Sequence, residues 1–241
     1  MEAKDIRCEQ TGSWLLDGHK FKSWVSGSRK GLCLEGMPGS GKTILSSKVL
    51  DHLRAELAKN GEDGHVALSF FFDFKSHNQQ SLDDLLRSLA MQLYIHHAPT
   101  RPVLHNLHDL CVHPRPITNT LKATVRQMLG RIQQAYLVID ALDECKTRSE
   151  LLFFLEGLAG ARDGNIRLLV TTRKDKEIQS SLQQWLPWDD IIHVNNTNIA
   201  ADIREYVAWR LREDPHFGRW RADHSLQNAI TDKITQKADG M

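Results

Sequence analysis

The run Gly36-Met37-Pro38-Gly39-Ser40-Gly41-Lys42-Thr43 is the strongest indication of the fold class of this chain. It matches the pattern G-x-x-x-x-G-K-[ST] without a gap, between a short apolar segment at 32–34 and a helical apolar stripe. We expect the backbone N–H groups of this loop to surround a polyphosphate, because Gly36, Gly39 and Gly41 permit positive φ and close approach. The helix that begins near Lys42 would point the positive end of its dipole at the anion.

The last two residues of the run have specific expected roles. Lys42 is expected to reach the β- and γ-phosphates, and the Thr43 hydroxyl is expected to bind Mg²⁺. A Gly-rich turn that only connects two elements is the alternative explanation. The strand–loop–helix context favours the first interpretation, so the sequence predicts that residues 36–43 bind a nucleoside triphosphate with magnesium.

A cluster of acidic residues follows a second apolar run, 136–139. Asp140 ends that run, and the chain continues with Ala141, Leu142, Asp143 and Glu144. We expect Asp140 to bind Mg²⁺ from the carboxyl end of a buried strand. Asp143 and Glu144 are candidates for orienting or deprotonating the attacking water, with Glu144 preferred and the choice open. A solvated acidic loop is the alternative.

A third apolar run, 166–170, ends in Thr171, Thr172 and Arg173. If these strands are parallel neighbours, the Arg173 guanidinium lies at the same sheet edge as the phosphate loop and can sense or neutralise a γ-phosphate. An arginine that merely caps a strand is the alternative. Residues 172–175 are similar to the guanine-reading pattern Asn/Thr-Lys-x-Asp, but arginine replaces its lysine, so the sequence gives no support for guanine specificity.

Strands and helices alternate along most of the chain. The strand runs are 32–34, 65–72, 136–139, 166–170 and 191–194. This alternation predicts an α/β fold with a parallel sheet covered on both faces, and ligands bound beyond the carboxyl ends of the strands. Ser81 is expected to cap a helix that begins at Leu82. The proline-rich segment 99–120 is expected to be irregular or to contain short helices.

The pattern becomes wholly helical from Asn198 onward. We therefore expect three segments: a lead-in at 1–30, a nucleotide-binding core at 31–195, and the start of a helical subdomain at 196–241 that is cut short. In the lead-in, Trp14 and Trp24 are expected to be packing residues, and a role in lining an adenine pocket is the alternative.

Composition and charge exclude several classes of protein. A net charge of +1 over 241 residues, without a dense basic stripe, argues against a nucleic-acid surface. No apolar run approaches the ~18 residues of a membrane span. The four cysteines have no paired spacing, which is typical of a reducing compartment, so we expect a cytoplasmic protein. His105, His108 and Cys111 are three apart and could share a helix face, but no second ligand pair completes a zinc site.

Together these motifs resemble the NACHT branch of the STAND ATPases, as found in fungal NOD-like receptors of the heterokaryon-incompatibility type. The resemblance is carried by the phosphate loop, the acidic motif, the arginine strand, the lead-in and the C-terminal segment: 36–43, 140–145, 170–173, 12–16 with Phe21 and Trp24, and 237–241. It extends over nearly the whole chain.

The resemblance implies a P-loop NTPase fold, a three-layer αβα sandwich with a five-stranded parallel sheet in the order 5-1-4-3-2. It also implies a signalling switch that binds ATP or ADP with Mg²⁺ and hydrolyses slowly. We also expect the full-length protein to self-oligomerise and to carry effector and repeat domains outside this chain. We expect no nucleic acid or membrane partner. A small-molecule kinase or a fast ATPase is the alternative, although nothing in the sequence resembles a kinase lid.

Overall fold

The computed structural model describes residues 11–61, 64–76, 79–110, 116–160, 164–194, 196–220 and 223–238. The strands are β1 Gly31–Glu35, β2 His65–Phe71, β3 Gln134–Asp140, β4 Ile166–Thr172 and β5 Ile191–His193. The helices before β3 are α1 Ser13–Leu16, α2 His19–Ser26, α3 Lys42–Asn60, α4 Leu82–His96, α5 Arg101–Leu110 and α6 Thr118–Leu129. Those after β3 are α7 Arg148–Ala159, α8 Lys176–Leu182, α9 Asn196–Glu213 and α10 His224–Ala238. Short 3₁₀ helices occupy Ala98–Thr100, Leu142–Glu144, Trp188–Asp190 and Pro215–Trp220.

The five strands form one parallel sheet in the order β2-β3-β4-β1-β5. This is the expected order 5-1-4-3-2 read from the other edge, so the predicted fold class is confirmed. The arginine-bearing strand β4 lies between β1 and β3, as the resemblance implied. Since Glu35 pairs with Thr172 and Phe71 pairs with Asp140, the carboxyl ends of these strands reach one common edge.

Alternate residues of each strand face opposite sides of the sheet, and each side is covered by helices. Tyr136 and Val138 point to the face covered by α1, α2 and α3, whereas Leu137 and Ile139 point to the face covered by α4 to α8. Each face has its own apolar core, which gives the three-layer αβα arrangement.

Two predictions about helix boundaries had different outcomes. Ser81 caps α4 as expected, in a capping box: the Asp84 N–H donates to Ser81 Oγ, and the Ser81 N–H donates to the Asp84 carboxylate. The segment 99–120 is more regular than expected, because α5 runs for ten residues. Pro102 does not prevent this helix, since it lies in the first turn, where the N–H that proline lacks has no intrahelical partner. Residues 111–115 lie outside the described residues.

The lead-in contributes a large part of one core. Trp24 is fully buried and contacts the rings of Phe21 and Tyr136 at centroid distances of 5.7 and 5.5 Å. Trp24 is therefore a packing residue, as expected, and the alternative that it lines a base pocket does not hold.

Helices α9 and α10 follow the sheet and pack against each other. Ile199 of α9 also packs against the core shared by α1, α2 and α3. In the part of the chain that the structure describes, no helix combines the length and apolar character that a bilayer span requires.

Two adjacent phenylalanines of α7 allow a matched test of the core beneath that helix. Phe154 is fully buried and Phe153 is 71% exposed. We expect Phe154→Ala to lower the free energy of unfolding by about 3–5 kcal/mol, because it leaves a cavity. Phe153→Ala should change it by no more than about 0.5 kcal/mol. Urea denaturation of both variants measures this, and equal losses would contradict the packing of α7.

Candidate nucleotide-binding site

The loop between β1 and α3 is shaped by glycines that act in two ways. Gly39 and Gly41 have φ of +78° and +79°, as expected for a left-handed backbone. Gly36 does not share this conformation, so positive φ is not the reason for glycine at that position. A Cβ atom on Gly36 would instead lie 2.7 Å from Ser40 Oγ and 3.1 Å from Val194 Cβ. Its hydrogen side chain allows close approach within the loop.

The N-terminus of α3 has no side-chain cap, with Gly41 at the N-cap position. This differs from α4 and α8, where Ser81 and Asp175 accept hydrogen bonds from first-turn N–H groups. The first N–H groups of an α-helix have no partner within the helix. At α3 those donors and the helix dipole are directed to the loop, so an anion of phosphate size fits there.

Lys42 lies folded along the inside of the loop. Its Nζ donates to the carbonyl oxygens of Gly36 and Met37 at 2.6 and 2.8 Å. Burial lowers the pKa of Lys42, while the negative charge of Asp143, the strongest of its acidic neighbours, acts in the opposite direction. An ammonium group held by two carbonyls in this way can turn to a phosphate without leaving the loop.

The predicted metal ligands Thr43 and Asp140 are in direct contact. Thr43 Oγ1 donates to Asp140 Oδ2 at 2.6 Å. Asp140 is 2% exposed, and its other oxygen accepts from the hydroxyls of Ser46 and Thr171 at 2.9 and 2.7 Å. Magnesium takes oxygen ligands at about 2.0–2.1 Å in an octahedron, where neighbouring ligands are roughly 2.9 Å apart. The hydroxyl and carboxylate therefore fit a magnesium ion, which would separate the two oxygens only slightly.

Arg173 lies against both candidate water-handling acids. Its Nε is 3.0 Å from Asp143 Oδ2, and its terminal NH2 group donates to Glu144 Oε1 at 3.1 Å. The backbone N–H of Arg173 donates to Asp143 Oδ1 at 3.0 Å, and the Phe74 N–H donates to Glu144 Oε2 at 3.2 Å. The structure thus places all three predicted residues at one position, and the arginine is engaged by carboxylates.

The turn that carries these acids has an unusual backbone. Ala141 has φ of +58° and is the single non-glycine residue with positive φ among the described residues. Its N–H donates to Thr171 Oγ1 at 2.9 Å, and Arg148 donates to the Asp143 carbonyl at 2.6 Å. Such left-handed residues cost free energy and persist where neighbouring contacts hold them. The reversal of the chain between Asp140 and Asp143 places the side chains of Asp143 and Glu144 in the same cleft as the phosphate loop.

Besides a wide groove beside β2, which is lined in part by Thr43, Asp140 and Glu144, two clefts border the phosphate loop. The polar cleft contains the predicted site residues on β3 and β4 together with the loop: Pro38, Gly39, Ser40, Gly41, Lys42, Thr43, Asp140, Ala141, Asp143, Glu144, Thr171 and Arg173. The second cleft, of about 180 Å³, is mainly apolar and lies between the loop, the lead-in and α9. Its walls include Trp14, Ile44, Ile203 and Tyr206, which suit the flat face of a nucleobase.

Asp202 of α9 joins the two sides of the apolar cleft. Its carboxylate accepts from the Gly12 N–H at 2.8 Å and from Trp14 Nε1 at 3.0 Å. Trp14 is therefore held at the cleft by a residue 188 positions away in the chain. This position is compatible with the alternative that Trp14 lines a base pocket. No residue pattern pointed to Asp202 or Tyr206, because α9 has the composition of an ordinary solvated helix.

Two further contacts of the polar cleft were not assigned from the sequence. Ser46 follows Thr43 by one helical turn, and Thr171 lies within the polar end of β4. Both could have been found from the sequence, because each is a small hydroxyl residue on a buried face of α3 or β4, next to the predicted acidic strand.

The zinc hypothesis receives no support from the described residues. No group of three or more histidine, cysteine or acidic side chains suited to a metal occurs among them. His105 instead lies 3.1 Å from the Tyr94 hydroxyl. Cys111 and the side chain of His108 lie outside the described residues.

Comparison with known proteins identifies the family. A family model described as Nephrocystin 3, N-terminal, matches residues 10–173. The chain belongs to this family. The matched segment of this chain contains the phosphate loop, the acidic motif, Arg173 and all the residues of the polar cleft.

Two relatives add to this assignment. Vegetative incompatibility protein HET-E-1 of Podospora anserina is 27% identical over 248 residues, which covers 98% of this chain and 17% of that protein. The chain thus spans less than a fifth of that relative. The solved structure of the Aeropyrum pernix ORC1 protein in complex with DNA has a TM-score of 0.52 and 14% identity, and covers 86% of this chain and 55% of that chain; it supports the fold alone. The resemblance to NACHT P-loop NTPases of the fungal incompatibility type is confirmed.

The contact between Asp202 and the lead-in can be tested by hydrogen exchange. A hydrogen bond to a charged group contributes about 1.5–3 kcal/mol, so Asp202→Ala should accelerate exchange of the Gly12 amide about 10–100-fold. Asp232→Ala is the matched control, since Asp232 pairs with Arg204 on the same helical pair but away from the cleft. Mass spectrometry of overlapping peptides that begin before residue 10 measures both, because the amides at a peptide's own N-terminus lose their label. Equal exchange in the two variants would show that Asp202 does not hold the lead-in.

Proposed function

We propose that this chain is the nucleotide-binding core of a signalling switch, which binds ATP or ADP with Mg²⁺ and hydrolyses ATP slowly. The observation that carries the proposal is the convergence of Lys42, Thr43, Asp140 and Arg173 around one glycine-shaped loop. A helix N-terminus without a side-chain cap points at the same space. These groups offer donors and positive charge for phosphates, and a pair of oxygens for a divalent cation.

The charge balance of the polar cleft favours a nucleotide that carries its own cation. Lys42 and Arg173 face three carboxylates there, those of Asp140, Asp143 and Glu144. A bare triphosphate would add further negative charge beside these acids. Magnesium bound by Thr43 and Asp140 would supply the missing positive charge and polarise the phosphate oxygens. Tight nucleotide binding should therefore depend on magnesium.

Arg173 provides a physical basis for distinguishing ATP from ADP. In this structure its guanidinium is held by Asp143 and Glu144. A γ-phosphate would compete for the same guanidinium, whereas a diphosphate is one phosphoryl group shorter. A ligand can shift an equilibrium only through contacts that differ between the two states. In the proposed switch, the transfer of Arg173 from the acids to the γ-phosphate is that difference.

In the proposed switch, hydrolysis would be slow because it would have to wait for this transfer of Arg173. Both acids are engaged by Arg173, so neither can act on water until the guanidinium is released. Asp143 has both oxygens in contact with Arg173, one through the backbone N–H and one through Nε. Glu144 gives one oxygen to Arg173 and the other to the Phe74 N–H, and it lines both the polar cleft and the wide groove beside β2. Glu144 is therefore the better placed of the two to meet water.

We propose that the nucleobase occupies the apolar cleft beside Trp14 and Tyr206. The base would then contact both the lead-in, 1–30, and α9, which begins the proposed helical subdomain, 196–241. Nucleotide bound at the core, 31–195, would in this way affect the packing of α9 against the lead-in.

The proposal also includes effector and repeat domains outside this chain, self-oligomerisation and a cytoplasmic location. The described thiols of Cys33 and Cys145 are free, which agrees with a reducing compartment.

Lys42 gives the direct test of nucleotide binding. Lys42→Ala should weaken affinity for Mg-ADP by ~10–100-fold, because a charged contact contributes about 1.5–3 kcal/mol. Lys59→Ala changes an exposed lysine at the other end of the same helix and should leave affinity unchanged. Isothermal calorimetry on both variants measures the difference. Undiminished affinity of Lys42→Ala would remove the assignment of the phosphate loop.

The acid that handles water can be identified by two isosteric substitutions. Glu144→Gln should retain Mg-ATP binding and lower single-turnover hydrolysis by ~10²–10⁴-fold, the usual contribution of a general base. Asp143→Asn should have the smaller effect; the reverse order would assign the role to Asp143. Turnover of the unaltered chain well above about one per second, in the usual enzyme range, would instead favour a fast ATPase or a kinase.

A further inference from the structure

The carboxylate of Asp140 is surrounded by hydroxyl groups from two other elements. Thr43 and Ser46 come from α3, and Thr171 comes from β4. Ser46 and Thr171 are both fully buried, and both contact the same carboxylate oxygen, Oδ1. Oδ2 contacts Thr43, the hydroxyl at the open end of the cleft. The two carboxylate oxygens therefore have different surroundings.

The direction of the Thr171 hydrogen bonds follows from its partners. Thr171 Oγ1 accepts from the Ala141 N–H at 2.9 Å, and an amide nitrogen can only donate. The hydroxyl proton of Thr171 is thus free to be donated to Asp140 Oδ1, 2.7 Å away. Thr171 therefore links the carboxylate to the left-handed residue that follows it in the chain, and holds the side chain and the backbone turn together.

We propose that Thr171 and Ser46 are positioning residues for the magnesium site. They hold Asp140 Oδ1 so that the carboxylate cannot rotate, and Oδ2 stays beside Thr43 as the oxygen that meets the cation. The inference rests on the proposed function, since it assigns residues that act through the proposed metal ligand Asp140. Neither side chain needs to touch the nucleotide.

The sequence provides a closely matched control for Thr171. Thr172 is the next residue of β4 and is equally buried, but its hydroxyl donates to the Arg173 carbonyl at 2.9 Å. Thr171→Val and Thr172→Val each replace a buried hydroxyl by a methyl group on the same strand. A purely structural effect of such a replacement should be similar in both variants, whereas an effect on the cation should appear only at Thr171.

The test measures cation binding directly. Mn²⁺ replaces Mg²⁺ as a paramagnetic probe, and electron paramagnetic resonance gives free Mn²⁺ in the presence of saturating ADP. We expect Thr171→Val and Ser46→Ala to weaken Mn²⁺ binding about 10–100-fold, the usual effect of losing a partner of a metal ligand. Thr172→Val should bind Mn²⁺ as the unaltered chain does, and Thr171→Ser, which keeps the hydroxyl, should restore binding. ADP affinity in EDTA should be equal in all variants.

The outcomes separate this inference from the proposed function. If the unaltered chain binds no ADP, the proposed function fails. If it binds Mn-ADP, and Thr171→Val or Ser46→Ala binds Mn²⁺ as well as Thr172→Val does, the inference is wrong and the hydroxyls only stabilise the fold. If Thr171→Val does not fold, Ser46→Ala and Thr171→Ser decide the question, because normal Mn²⁺ binding by Ser46→Ala also overturns it.

Discussion

Asp140 is 2% exposed at the end of a central strand, and an ionised group in such a place is costly unless donors surround it. The donors come from α3 and β4, so the carboxylate is satisfied only when the phosphate-loop helix, the acidic strand and the arginine strand are assembled together. The charge of Asp140 is therefore compensated only in the correctly assembled fold.

The register of the sheet decides which face this carboxylate meets. Tyr136 and Val138 pack on the face covered by α3, and Asp140 follows in the same alternation. Leu169 packs on that face too, and Thr171 shares its side of β4. A slip of β3 by one residue would turn the carboxylate toward the opposite helical layer, away from every hydroxyl that serves it. The fully buried strand β3 fixes the register against such a slip.

The features that residue patterns predicted are local in the chain, whereas the apolar cleft that they missed is not. The phosphate loop, the strands and the Ser81 cap are each set by a few neighbouring residues, so pattern and spacing were sufficient. The apolar cleft could not be predicted in this way, because Asp202 meets Gly12 across 190 positions. Gly36 uses the close approach that was expected but not the positive φ, and part of that approach comes from Val194, outside the loop.

The phosphate loop forms one wall of both clefts, but their other walls differ. The apolar cleft is bordered by the lead-in and α9, and the polar cleft by the acidic turn, 140–144, and the end of β4. A base beside Trp14 would meet α9 in both the ADP and the ATP state, so that contact cannot distinguish the two nucleotides. The difference must begin at the γ-phosphate end, where Arg173 holds Asp143 and Glu144. Arg148 extends this network, because it donates to the Asp143 carbonyl and pairs with Asp175, which caps α8. In the proposed switch, a γ-phosphate therefore acts first on the acidic turn and on α8. Throughout this change the base would keep α9 in contact with the lead-in.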